Sequence, residues 1–125
     1  MKASNDLMNM AFASARHAAA RQELISRNLA NADTPRYRAQ DLDDFTPDDA
    51  SSFTPAATRP THFLGAMQEG AFQPRFAGGA MAPNGNDVSI ETEMVRGVDA
   101  RRQHDAAMAI YRASLDILRT SLGRR

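Results

Sequence analysis

His17, His62 and His104 supply the only imidazoles in a chain of 125 residues that has no cysteine. A structural zinc site needs four Cys or His ligands, usually grouped in close pairs, and these three histidines are widely scattered. They predict no metal site and read as surface residues or as residues in a polar notch. His104-Asp105 could join one of the serines in a nucleophilic triad, but no serine sits in a strand-to-helix nucleophile turn. Gly78-Gly79 lacks the spacing of a phosphate loop. Arg101-Arg102 and Arg124-Arg125 could meet phosphate, yet fifteen basic and fifteen acidic residues cancel. No overall positive field would gather nucleic acid or anionic lipid. The arginine pairs therefore read as helix solvation or subunit ion pairs. The sequence predicts no catalytic residue, no cofactor and no nucleic-acid partner.

The sharpest local feature is Asn28-Leu29-Ala30-Asn31-Ala32-Asp33-Thr34-Pro35-Arg36-Tyr37. Asn28 and Asn31 stand three apart, so on a helix they share a face beside the apolar Ile25 and Leu29. An amide there either fixes register between packed helices or satisfies the free carbonyls of a helix end. Asn and Asp also terminate helices for purely local reasons.

Two helical patterns flank a region that is not helical. From about Asn5 to Ala32, the residues Met8, Ala11, Phe12, Ala15, Ala18, Ala19, Ile25 and Leu29 recur at three- and four-residue steps, one apolar stripe with small residues at its centre. From about Ser89 to Leu122, the residues Ile90, Met94, Val98, Met108, Tyr111, Leu115, Leu118 and Leu122 hold a near seven-residue repeat, broken at Arg101 and at His104 or Asp105. Each helix is expected to reach about 40 to 50 Å at 1.5 Å per residue. Ser4 or Asn5 is the expected cap of the first, which should stop near Asn31 to Asp33 because Pro35 forces Thr34 out of helical geometry. Ser89 is the expected cap of the second, with Glu91 and Glu93 in the first turn where the helix dipole favours negative charge.

All six prolines and five of the seven glycines lie between the two patterns. Phe45, Phe53, Phe63, Phe72 and Phe76 show no sustained period there, and five acids between Asp41 and Asp49 predict solvated chain. The resulting division is 1–32 as an N-terminal helix, 33–86 as an irregular or short-β middle, and 87–125 as a C-terminal helix. The fold class is mainly α, its two long helices lying antiparallel and packing as a coiled coil in an assembly. A dense monomeric core is not expected, because many of the apolar residues are alanine and there is no tryptophan.

The segment from Asn28 to Tyr37 resembles the N-terminal signature of flagellar axial proteins: Asn, any residue, Ala, Asn, two residues, Thr-Pro-Gly-Tyr. Rod, hook and hook-associated proteins share it. Arg38-Ala39-Gln40-Asp41-Leu42-Asp43-Asp44-Phe45, Asn84-Gly85-Asn86-Asp87-Val88-Ser89-Ile90-Glu91-Thr92-Glu93-Met94 and Tyr111 are similar to the proximal-rod (FlgB-type) family. The chain has no room for the large inserted domains of hook or distal-rod relatives. One position departs: Arg36 stands where the family has glycine. Glycine would permit a type II turn, whereas arginine predicts a type I turn or extended chain.

The resemblance implies a structural, non-enzymatic subunit of the flagellar basal body rod in the periplasmic space; the alternatives are another flagellar axial protein or a generic helical interaction module. Its implied partners are copies of itself, other rod proteins, the MS ring and the export gate. It also implies passage through the flagellar type III apparatus, which agrees with the polar interruptions between Leu7 and His17 that argue against a secretory signal. No segment approaches the ~18 apolar residues of a membrane span. Asn28, Asn31, Thr34, Pro35 and Tyr37 are the implied assembly motif. Met8, Phe12, Ile25, Leu29, Met94, Val98, Met108, Tyr111, Leu115 and Leu118 are the expected helix-packing seam.

Overall fold

A computed structural model describes residues 2–46 and 72–123, with side chains from residue 5 onward. Two helices dominate: α1 (Lys2–Ala30) and α2 (Ile90–Leu122). Between them a short antiparallel pair, β1 (Gln40–Asp41) and β2 (Arg75–Phe76), aligns Gln40 with Phe76 and Asp41 with Arg75. Phe53, Phe63, His62, Arg124, Arg125 and residues 47–71 of the expected irregular middle lie outside the described residues. No described helix is long and apolar enough to cross a membrane.

The helices run antiparallel against each other. Asn28 meets Glu93, Ile25 lies beside Gly97, and the Phe12 and Tyr111 rings stand 6.5 Å apart. The contact is built on small residues. Ala11, Ala18 and Ile25 are buried on α1 at seven-residue steps, and Glu93, Ala100, Ala107 and Ser114 are buried on α2 at the same step. A seven-residue repeat keeps one face of a helix toward its partner, and small side chains bring helix axes close. One row of each helix is thus buried within a single chain, although the sequence led to no expectation of a dense monomeric core. Alanine supplies that core.

The ends of the helices follow their local chemistry with one exception. Ser89 caps α2 with extended backbone and accepts from the Thr92 N–H, and Glu91 and Glu93 occupy the first turn as expected. Gly123 closes α2 by donating its N–H to the Arg119 carbonyl at 2.7 Å. At the other end of the chain, α1 begins at Lys2, so Ser4 and Asn5 fall inside its first turns instead of capping it. Lysine and alanine are good helix formers and carry the helix upstream of both candidates.

On another flank of α1, His17 and Leu24 are buried against the connecting chain, whose own Leu42 is buried as well. His17 is therefore not a surface residue. Its Nε2 donates to the Asp43 carbonyl at 2.7 Å, and its ring meets Phe45 and, edge-on, Phe72 at 4.7 Å. The acidic run is only partly solvated: Asp43 and Asp44 are exposed, but Asp41 receives a bidentate guanidinium from Arg21 at 2.8 and 3.0 Å. This hydrogen bond to Asp41 raises the Arg21 pKa further, against the opposing effect of burial.

Candidate assembly site

The end of α1 is closed by side chains rather than by a glycine. A helix leaves its last carbonyls without partners, and here Asn86 reaches back across the fold to supply them. Its Nδ2 lies 2.9 Å from the Asn31 carbonyl, 2.9 Å from that of Ala32 and 2.8 Å from that of Thr34. Its Oδ1 accepts from the Val88 N–H at 2.7 Å, turning the chain toward α2. Asn31 contributes locally: its Nδ2 donates to the Arg27 carbonyl and its Oδ1 accepts from the Thr34 hydroxyl.

Asn28 is the centre of the arrangement. It is fully buried, and its amide is fully used. Nδ2 donates to the Gln40 carbonyl at 2.8 Å and to Glu93 Oε2 at 3.0 Å; Oδ1 accepts from the Tyr37 hydroxyl at 3.2 Å and the Gln40 N–H at 3.1 Å. One side chain thereby joins α1, the turn after it, β1 and α2. A buried amide left unpaired is costly, so the four bonds hold these elements as a unit. Glu93 extends the network by accepting from Arg96 at 2.7 Å, and Arg96 also faces Asp41 at 3.6 Å.

Thr34 to Tyr37 form a turn in which the Tyr37 N–H donates to the Thr34 carbonyl at 3.3 Å. Pro35 occupies the second place and Arg36 the third, with φ of +61°. That is the backbone of a type II turn. The expectation of a type I or extended turn at Arg36 is corrected here. The turn is over-determined by its surroundings: the Arg36 N–H donates to the Asn84 carbonyl, the Asp87 N–H to the Tyr37 carbonyl, and the Ala39 N–H to Asp87 Oδ1 at 2.5 Å. A residue in an unfavourable backbone region persists where its neighbours fix it.

The five motif residues thus meet in one place; Asn86, Asp87 and Arg21 join them without having been assigned a role from sequence, and Glu93 and Asp41 join them in a role other than the one expected. The packing residues divide. Ile25 is buried; Met8, Met108, Tyr111, Leu115 and Leu118 are half-buried along the helix contact. Phe12 (55% exposed), Leu29, Met94 (64%) and Val98 (61%) face solvent, while Glu93, Gly97 and Ala100 meet α1 at the level of Met94 and Val98. Among the described residues no cluster of His, Cys, Asp and Glu could hold a metal ion.

Residues 13–38 match the family described as flagella basal body rod protein. The match covers about a fifth of the chain. It runs along α1 through Asn28 and Asn31 and ends just past the turn at Tyr37. The match supports a structural rod component of the flagellar basal body. No curated protein matches the chain.

Proposed function

We propose that the chain is a structural subunit of the proximal rod, of the FlgB type, and polymerises through its two terminal helices. The observation that carries this reading is the coincidence of the rod-family match with the buried Asn28 network, so that the family segment is also the part that fixes the two helices together. The exposed apolar residues support it further. On helical spacing, Ile90, Met94, Val98 and the half-buried Met108 form one row on α2, and Met8 and Phe12 stand on the adjoining flank of α1, where Phe12 contacts Tyr111. A row of large apolar side chains left uncovered along a hairpin suits packing against neighbouring copies. The subunit would cross by the flagellar type III route, reside in the periplasmic rod, and bridge the MS ring and export gate to the rest of the axle. Its role is mechanical, transmitting torque without catalysis.

Mass spectrometry of detergent-purified basal bodies from the source cell tests this. The chain is expected in fixed stoichiometry to the ring protein. Its absence from intact, rod-containing basal bodies would overturn the assignment.

A further inference from the structure

We propose that Asn28, Asn86 and Glu93 form a register lock that selects one alignment of α1 against α2 from several that the helix contact would otherwise accept. The buried rows are nearly self-similar along their length: Ala11, Ala18 and Ile25 face Glu93, Ala100, Ala107 and Ser114, all at seven-residue spacing. Sliding α2 by one heptad would place Ala100 opposite Asn28 and His104 opposite Ile25 in place of Gly97, while the seven-residue rows stay in phase. In a hairpin with a loop of a few residues the loop dictates the alignment. Here the connection runs from residue 31 to residue 89, and its length imposes no register.

The polar groups do impose one. In a shifted alignment the Asn28 amide loses Glu93, and the Glu93 carboxylate, which is 1% exposed in the native alignment, is carried past the end of α1 or to the level of Arg21, whose guanidinium is already held by Asp41. A single buried polar residue fixes register in coiled coils by this penalty on every other alignment. Asn86 acts on the same degree of freedom from outside the contact. It is bound to three carbonyls at the end of α1 and stands just ahead of the Ser89 cap, so it fixes where α2 begins. The lock is a property of the single chain and does not depend on its being a rod subunit.

The absence of cysteine makes the test direct. A β-carbon at Gly97 would lie 3.8 Å from Ile25 Cγ2, so Ile25→Cys with Gly97→Cys reports the native alignment. Ile25→Cys with His104→Cys, or with Ile90→Cys, reports a shift of one heptad in either direction. In dilute solution the otherwise native chain is expected to form an intramolecular disulfide in the first pair alone. The background Asn28→Leu, Glu93→Leu, Asn86→Ala replaces the buried polar pair with apolar side chains, a change that commonly preserves folding. In that background the yield of a shifted pair is expected to rise by about ten-fold or more relative to the native pair. A variant that stays helical by circular dichroism and still joins only the native pair overturns the proposal. Loss of helicity also overturns it, because the cluster would then carry folding rather than alignment.

Discussion

A β-carbon placed on Gly85 would lie 3.2 Å from Cγ of Arg36, and both residues have positive φ, +81° and +61°. Two left-handed residues, far apart in sequence, thus touch at the base of the middle segment. The Arg36 N–H is held there by the Asn84 carbonyl at 3.1 Å. Glycine takes this backbone freely, and arginine does so at a cost of about 1–2 kcal/mol.

Arg36→Gly is therefore expected to stabilise the protein by about 1 kcal/mol, less a fraction returned through the freer unfolded chain. Arg36→Val, β-branched at the same φ, should destabilise it. Urea denaturation followed by circular dichroism measures both, and a destabilised Arg36→Gly would refute the strain at this turn.

Gly85→Ala should cost about 1–2 kcal/mol, from its backbone conformation and from the close approach to Arg36. The two sites are in contact, so their effects should not add. Combined with Arg36→Gly, the alanine should cost less than it does alone. Strict additivity in a double-mutant cycle would show that the contact carries no energy.

Asn28→Ala strands Glu93, Gln40 and Tyr37 together and is expected to lower stability by about 3 kcal/mol. Asn31→Ala, whose side chain bonds only locally, should cost about 1 kcal/mol. Equal losses at the two asparagines would contradict the central place given to Asn28.

Glu91 is exposed, and its own backbone N–H, with the Ser89 hydroxyl, holds its pKa below the ordinary 4.5. A depressed carboxylate contributes stability above its unfolded pKa and loses it as pH falls through the folded one. Glu91→Gln should thus weaken the protein at neutral pH and make little difference near pH ~2. Denaturation curves at the two pH values decide the matter. An unchanged midpoint at neutral pH would show that the carboxylate does not support the cap.

Met94→Asp with Val98→Asp separates assembly from folding. Both side chains are more than 60% exposed, so the isolated chain should change in stability by no more than about 0.5 kcal/mol. Cells carrying the pair should nevertheless fail to swim and should lack the chain in purified basal bodies. Normal motility would remove this row from the proposed copy-to-copy contact.

Helix type and the Ser89 cap were legible because periodicity and capping act over a few residues, whereas the start of α1 at Lys2 was not. The buried row Glu93, Ala100, Ala107 and Ser114 was not identified, although its spacing lies in the sequence. Larger apolar residues drew the seam toward Met94 and Val98, whereas close helix contact favours small ones. A charged Glu93 at the head of the row also hid it. The pairing of Arg21 with Asp41 and of Asn86 with three carbonyls left no local signal at all. Such bonds join residues distant in sequence, and only the folded chain brings them together. Arg36 misled for the opposite reason: local preference favoured another turn, and the bonds from Asn84 and Asp87 prevailed.

Asn86 completes the end of a helix from which it is separated by more than fifty positions. The segment from residue 13 to 38 is accordingly not a portable cassette. A chimera that exchanged it alone between two such chains would inherit the first half of a joint fitted to another second half. Exchanges should succeed when the stretch from Asn84 to Glu93 travels with it, and drift in either stretch should be answered by drift in the other.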